Sequence, residues 1–265
     1  MTPRLGGGCS IQLSYQGRLR IVTFWKWLSL VRLGRAIIFV MNSTSISISI
    51  IIPVLDEAEH IVSLIKRLPD HLEIIVVDGG STDATVELTR ALGCRVVASQ
   101  KGRAVQMNVG AAATSGDVLI FLHADCLLPP DFVREISLFS LSRLAWGRFD
   151  VRIDSHQLIF RIIERMINLR SRLTGICTGD QAIFVKRAVY DQIGGLAEIA
   201  MMEDIEVSKR LKNISKPYVI GSCVQTSARR WLDGGIIRTI LLMWRFRLSY
   251  FFGVSPDVLA REYYG

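Results

Sequence analysis

The sequence predicts an α/β protein with a mostly parallel central sheet flanked by helices, and amphipathic helices at its C-terminal end. Two observations predict it. From residue 43 short apolar runs alternate with segments of helical periodicity, which means βαβ units with right-handed crossovers. Three of the runs, 46–54, 73–77 and 118–122, end on acids: Asp56-Glu57, Asp78 and Asp125. In an open α/β sheet, ligands bind in the crevice beyond the carboxyl ends of the strands. That many carboxylates at one edge repel one another unless a cation or proton donor sits among them.

The run at 118–122 is too short for a helix and reads as a strand buried on both faces. Before it, a strand at 45–54 leads to a helix at 57–68, with Ile61, Leu64, Ile65 and Leu68 on one face. A strand at 73–77 runs through Asp78-Gly-Gly-Ser-Thr-Asp83 into a helix at 84–92. Gly79-Gly80 permits a tight turn, and Ser81, Thr82 or Asp83 supplies a cap. A strand at 94–98 and a helix at 103–114 complete this half.

After Pro130 the rhythm changes. A helix at 131–141 precedes an alternating stretch, 146–153, that reads as an exposed strand. The helix expected at 156–173 puts Leu158, Ile162, Ile163, Met166 and Ile167 on one side, with Arg161, Arg165, Arg170 and Arg172 on the polar face. A strand at 182–186, a helix at 187–192, a Gly194-Gly195 loop and a helix from Met202 to Leu211 follow. Residues 236–252 are apolar and aromatic but interrupted by Arg238, Arg245 and Arg247, which suits an interfacial or docked helix.

With 265 residues, 50% hydrophobic and 21% charged, the chain is globular and long enough for a sizeable core. The net charge of +8 is concentrated at one end. Residues 1–42 hold Arg4, Arg18, Arg20, Lys26, Arg32 and Arg35 and no acid, and the remainder is nearly balanced. No basic stripe interleaved with aromatics crosses the sheet region, which argues against nucleic acid as a partner. The five cysteines are scattered without a CxxC, so they read as buried thiols in a reducing compartment, consistent with a cytoplasmic location. His60, His71 and His156 read as surface residues.

Residues 1–42 form an N-terminal extension distinct from a domain at 43–235, and 236–265 form an amphipathic helix and tail. The charges at Lys26, Arg32 and Arg35 make 21–40 a poor membrane span, and no A-x-A site follows it. Two readings fit: a basic amphipathic helix on a membrane surface, or a segment outside the folded protein. Met41, just before the Ser/Thr-rich lead into the first strand, favours the second, with the natural start at Met41.

Four blocks, in order, resemble the signature of family 2 glycosyltransferases: Ile52-Pro-Val-Leu-Asp-Glu57, Val76-Val-Asp-Gly-Gly-Ser-Thr-Asp83, Gly116-Asp-Val-Leu-Ile-Phe-Leu-His-Ala-Asp125 and Glu203-Asp204. The resemblance spans about residues 45–231. Lys101-Gly-Arg-Ala-Val-Gln-Met-Asn108, Thr178-Gly-Asp-Gln-Ala-Ile-Phe184 and Ser227-Ala-Arg-Arg-Trp231 are similar to a bacterial subgroup labelled arsenosugar-biosynthesis or selenodomain-associated glycosyltransferases. Related labels name carotenoid acids as acceptors.

The resemblance implies a GT-A nucleotide-sugar-binding fold and an inverting transfer of sugar from a nucleotide-diphosphate sugar, most simply a UDP-sugar, to a hydroxyl or carboxyl group. The acceptor would be a small molecule or a lipid. By the same resemblance Asp78 recognises the donor base, as a carboxylate accepting ring N–H groups does. Asp56 and Glu57 lie near the nucleoside. Lys101 and Arg103, at a helix start, contact the diphosphate. Asp125 holds a divalent metal, Mn2+ or Mg2+, and His123 stands where the family's first metal-motif acid would be. Asp204, beside Glu203, is the general base. Arg230 pairs with phosphate, Trp231 stacks on a sugar, and Asp180 and Gln181 line the acceptor side. The apolar, arginine-bearing helices imply peripheral contact with a membrane, at its inner face.

Two other classes compete. A sugar nucleotidyltransferase needs a Gly-rich loop and a basic residue after the first strand, where Pro53-Val-Leu-Asp-Glu57 stands instead. A membrane-associated scaffold without catalysis accounts for His123 but not for Glu203-Asp204.

Overall fold

In the computed structural model, which describes residues 46–264, eight strands form one sheet in the order β3-β2-β1-β4-β7-β6-β8-β5. The first half is parallel, as expected: β1 (Ile48–Val54) lies between β2 (Glu73–Asp78) and β4 (Val118–Phe121), and β3 (Arg95–Ala98) is outermost. All seven β1 residues but Pro53 are buried, because both faces are covered. Ile50 and Ile52 enter one core with α1 (Ala58–Ile65), and Ile51 enters a second core with α3 (Arg103–Ala112). A Cβ on Gly110 of α3 would stand 2.4 Å from Ile51 Cγ2, so only glycine lets this helix lie so close to the sheet. The remaining helix of this half is α2 (Thr85–Ala91).

The second half departs from the expected regularity. β7 (Phe184–Lys186) runs antiparallel to β4 and to β6 (Trp146–Asp154). β6 pairs in parallel with β8 (Tyr218–Ser227), and β8 pairs antiparallel with β5 (Cys126–Leu127). β5 and β8 were not legible, nor were the short helix α8 (Arg229–Asp233) and the C-terminal α10 (Pro256–Tyr264). The stretch expected as an exposed strand is instead interior. In β6 only Arg152 and Asp154 are exposed, because the strand sits between β7 and β8. The helices of this half include α4 (Phe132–Leu141), α6 (Arg187–Gln192), α7 (Glu203–Lys212) and α9 (Ile236–Phe251).

The long helix α5 (Leu158–Thr174) meets the expectation only in part: Ile163 and Ile167 turn inward and Arg165 and Arg172 outward as expected, but polar residues share the inner side. Phe160, Ile163, Glu164 and Ser171 are buried, and Leu158, Ile162, Met166, Leu169 and Leu173 are exposed. The cause lies in β6. Beyond Gly147 no β7 residue pairs with it, so its buried backbone groups need other partners. Asn168 brackets Val151, accepting from its N–H at 2.9 Å and donating to its carbonyl at 3.0 Å. Glu164 accepts from Ile153 N at 2.5 Å, and Arg161 donates to Ile153 O at 2.8 Å. Fully buried Arg148 is paired with Asp150, which Arg172 of α5 reaches from the other side, each at 2.5 Å. The polar residues thus do the work of a neighbouring strand, Phe160 and Ile163 share the inner side with them, and the remaining apolar residues face solvent.

α9 also presents an apolar face outward, through Ile237, Leu241, Trp244, Leu248 and Phe251, while Phe246 is buried against Met202 and Ile205. Among the described residues no helix is long and apolar enough to cross a membrane. The proposed extension at 1–42 and the start at Met41 lie outside the described residues. Cys126 and Cys177 are buried thiols as expected, but Cys94 is half-buried and Cys223 exposed, since it falls on an outward position of β8. His60 is half-buried with Nε2 inside the protein, whereas His71 and His156 are exposed.

Candidate active site

One sheet edge collects the candidate residues, and the reversed strand explains how. The carboxyl ends of β1, β2 and β4 deliver Asp56-Glu57, Asp78 and His123-Ala-Asp125. Because β7 is antiparallel to β4, the residues before it, the 3-10 turn Gly179–Gln181, arrive beside His123. β8 ends at the same edge, where Ser227 N donates to Asp125 O at 3.2 Å and leads into Arg229.

The expected donor-side acids hold the loop. Asp78 is 9% exposed, and its carboxylate accepts from the N–H groups of Gly80 and Ser81 at 3.1 and 3.0 Å. Gly80 takes φ +96°, the tight turn that the glycine pair permits. Asp56 adopts φ +54°, and its Oδ1 accepts from Thr82 N at 2.7 Å. The N-cap position of α2 is Ala84 rather than one of the three expected residues, and Asp83 accepts from Thr85 N and Ala58 N. Glu57 differs. Its Oε2 is buried without a hydrogen-bond partner, and the nearest cation, Arg229, is 4.0 Å away. Burial, then the Asp125 carboxylate, push its acid upward, with Arg229 opposing. Lys101 is exposed, and Arg103 opens α3 with a guanidinium 3.8 Å from Glu203.

His123, Asp180 and Cys126 bring one ligand atom each within 4.8 Å of one another. His123 Nδ1 lies 3.6 Å from Asp180 Oδ1, and its Nε2 is buried without a partner. Burial would raise Asp180, but hydrogen bonding and charge from His123, then Arg230 and Arg103, hold it at about 2. Burial pushes the Cys126 thiol well above its ordinary range, which leaves it protonated and a poor ligand for a hard cation. Asp125 is not in this trio. Its Oδ1 stands 3.5 Å from Cys126 Sγ, and its charge acts on Glu57. Imidazole Nδ1 beside the ionised Asp180 carboxylate is a nitrogen–oxygen pair that fits a first-row divalent cation such as Mn2+.

Glu203 and Asp204 form the first turn of α7, where the helix dipole favours negative charge. Met202, at φ +68°, aims them toward the edge. Asp204 Oδ2 accepts from Gly179 N at 3.1 Å, which ties α7 to the turn beside His123. Glu203 is 6% exposed, and burial, then Asp204, raise its acid against the pull of Arg103.

Three expected residues sit differently. Gln181 is fully buried as a strut, its Oε1 accepting from Thr178 N at 3.2 Å while its Nε2 points to Phe149 O. Trp231 packs edge-on to Phe160, 6.5 Å between ring centres, in a small cluster with Ile153 and Ile163. Arg230 is exposed and acts electrostatically on Asp180. Sequence reasoning missed Gln106, a buried amide on the apolar face of α3. It donates to Val54 O and Val77 O, both at 2.8 Å, and so clamps the ends of β1 and β2. A polar residue at a core position was the available signal.

A model of the family described as glycosyl transferase family 2 matches residues 49–191. The 4,4'-diaponeurosporenoate glycosyltransferase of Staphylococcus haemolyticus is 25% identical over 191 residues, 68% of this chain and 51% of that protein. The undecaprenyl-phosphate 4-deoxy-4-formamido-L-arabinose transferase of Yersinia pestis is 30% identical over 167 residues, 55% of this chain and 50% of that protein. The chain spans about half the length of these curated relatives. Among solved structures, S. aureus TarS 1-349 in complex with UDP-GlcNAc aligns with a TM-score of 0.57 at 16% identity, over 68% of this chain and 58% of that one. Glucosyl-3-phosphoglycerate synthase from Mycobacterium tuberculosis, in complex with Mn2+, UDP-glucose and phosphoglyceric acid, aligns with a TM-score of 0.51 at 24% identity, over 69% and 72%. At these identities the structural likeness concerns the fold.

Proposed function

From a chain that belongs to glycosyl transferase family 2 and has the α/β GT-A fold, we propose an inverting transferase that moves a sugar from a nucleotide-diphosphate sugar, a UDP-sugar first, to a hydroxyl or carboxyl group. One observation carries the reading: the hydrogen bond from Gly179 N to Asp204, which sets a carboxylate on a helix N-terminus next to the His123–Asp180 pair. In this reading Asp204 takes the acceptor proton as the new bond to the anomeric carbon forms. Asp78 and Asp56 shape the loop that receives the base and ribose. Arg103, Lys101 and Arg230 supply positive charge for the diphosphate. His123, Asp180 and Asp125 would hold a divalent cation, Mn2+ or Mg2+, which when bound offsets charge on the leaving diphosphate.

The acceptor is a lipid or a small molecule. The relatives named for diaponeurosporenoate and undecaprenyl phosphate, together with the outward apolar faces of α5 and α9, support the lipid. Membership of the arsenosugar or selenodomain subgroup rests on the Lys101–Asn108, Thr178–Phe184 and Ser227–Trp231 blocks. Peripheral contact with the inner face of an anionic membrane follows from the same helices, and the domain limits of 43–235 and 236–265 belong to the same reading. A screen of UDP- and GDP-sugars with Mn2+, reading released nucleotide diphosphate, tests the activity. Absence of release from every donor, with and without a membrane extract as acceptor source, would sink it.

A further inference from the structure

One turn sets two metal-ligating side chains side by side. In His123-Ala-Asp-Cys126 the N–H of Cys126 donates to the carbonyl of His123 at 3.1 Å, which closes a tight turn on both residues. Each end is held in place. Cys126 opens β5, is fully buried and pairs with Thr226 of β8, and the His123 ring lies against Gly179. The turn Gly179–Gln181, closed by reciprocal capping bonds between Thr178 and Gln181, brings Asp180 Oδ1 to 3.6 Å from His123 Nδ1. A nitrogen, a sulfur and a carboxylate oxygen, one from each residue, then lie within 4.8 Å of one another.

Bonds of about 2.0–2.3 Å from one cation to nitrogen, oxygen and sulfur put tetrahedral ligand atoms roughly 3.3–3.6 Å apart. The His123–Asp180 separation already meets that spacing, and a gap of up to 4.8 Å closes with about an ångström of side-chain movement. The sulfur decides which cation. Mg2+ takes near-octahedral oxygen ligands, whereas imidazole and thiolate suit Zn2+, which also stands above Mn2+ and Co2+ in affinity for such donors. We propose that His123, Cys126 and Asp180 form a nitrogen–sulfur–oxygen site for a thiophilic divalent cation, Zn2+ foremost. The thiol proton leaves to buffer as the sulfur–metal bond forms. Three protein ligands leave a fourth position open, on the side of the partly exposed Asp180. The place of this site in catalysis rests on the transferase reading, whose cation shares His123 and Asp180; the site itself rests on the turn geometry.

The test is titration of the metal-stripped full chain with Co2+, a spectroscopic stand-in for Zn2+. Bound Co2+ should bring a sulfur-to-cobalt charge-transfer band in the near ultraviolet, which Zn2+ should erase and excess Mg2+ should not. Cys126→Ala should lose the band. A chain carrying Cys9→Ser, Cys94→Ser, Cys177→Ala and Cys223→Ser, which keeps only Cys126, should retain it. Asp180→Asn should need more Co2+ to reach it. Absence of the band in the wild type, its persistence in Cys126→Ala or its loss from the Cys126-only chain overturns the proposal. So does unchanged Co2+ affinity in Asp180→Asn, or erasure by Mg2+ as readily as by Zn2+. Melting curves identify folded variants. If Cys126→Ala does not fold, the Cys126-only chain decides, and if neither folds, Asp180→Asn decides. Calorimetric titration of UDP with Mn2+ separates the two levels. Its failure beside an intact cobalt band refutes the donor reading alone, whereas UDP binding without the band refutes the metal site alone.

Discussion

The imidazole of His123 occupies the space in which a side chain on Gly179 would begin: a Cβ there would fall 2.3 Å from Cε1 and 2.4 Å from Nε2. Gly179 also donates its N–H to Asp204, so one residue spaces the histidine and the catalytic candidate. Gly179→Ala should therefore displace the ring or the turn, at about 1–3 kcal/mol of stability as for other overpacked sites. Mn2+-dependent UDP binding should weaken in the folded variant. Unaltered metal dependence would mean that the ring position has no bearing on the cation.

Asp204→Asn keeps shape and hydrogen bonding but takes up no proton. Donor affinity should survive while transfer falls on the order of 10²–10⁴-fold. Asp125→Ala should instead lose metal-dependent donor binding, because a diphosphate beside Glu57 and Asp78 needs a cation. Calorimetry paired with product detection measures both, and unchanged transfer in Asp204→Asn would remove the inverting mechanism.

Asp150→Ala strands fully buried Arg148 and should cost about 3–5 kcal/mol, the range for a broken buried pair. Replacing both, as Arg148→Met with Asp150→Leu, should recover most of it. Urea unfolding of the three proteins is the measurement. A single variant as stable as wild type would show that the Phe149 and Asn168 carbonyls suffice for Arg148.

Glu73 makes stability depend on acid. Burial would raise it, but hydrogen bonds from Ser49, at 2.5 Å, and from the Ser115 N–H hold it below its ordinary 4.5. A depressed folded value contributes stability above 4.5, and that contribution fades as pH falls through the folded value. Denaturation from pH 7 to pH 3 should show wild type losing its advantage over Glu73→Gln across that acid window. A constant gap would exclude the linkage.

The parallel half of the fold was legible because β1, β2 and β4 are short, mostly apolar runs followed by acids, and β3 lies between two segments of helical periodicity. So were the three acid-bearing strand ends and the Glu203-Asp204 helix start. β8 was not, because Gly221 and Ser222 interrupt its apolar pattern, and β5 is only two residues long. The polar residues on the inner side of α5 were hidden for a different reason. Periodicity finds the apolar face of a helix, but which face turns inward depended on the unpaired groups of β6, set by tertiary pairing. Gln181, expected beside the acceptor, gave no hint that its amide closes its own turn.

The antiparallel insertion of β7 has a consequence for biosynthesis. Parallel pairing of β1, β2, β3 and β4 involves only residues 48–121, so it is complete in sequence terms some sixty residues before Phe184 leaves the ribosome. Through that interval the free side of β4, Val-Leu-Ile-Phe, has no native neighbour. A bare apolar strand edge on a nascent chain invites pairing with other chains. Yield in a heterologous host should then depend on chaperones that hold this edge until β7 arrives.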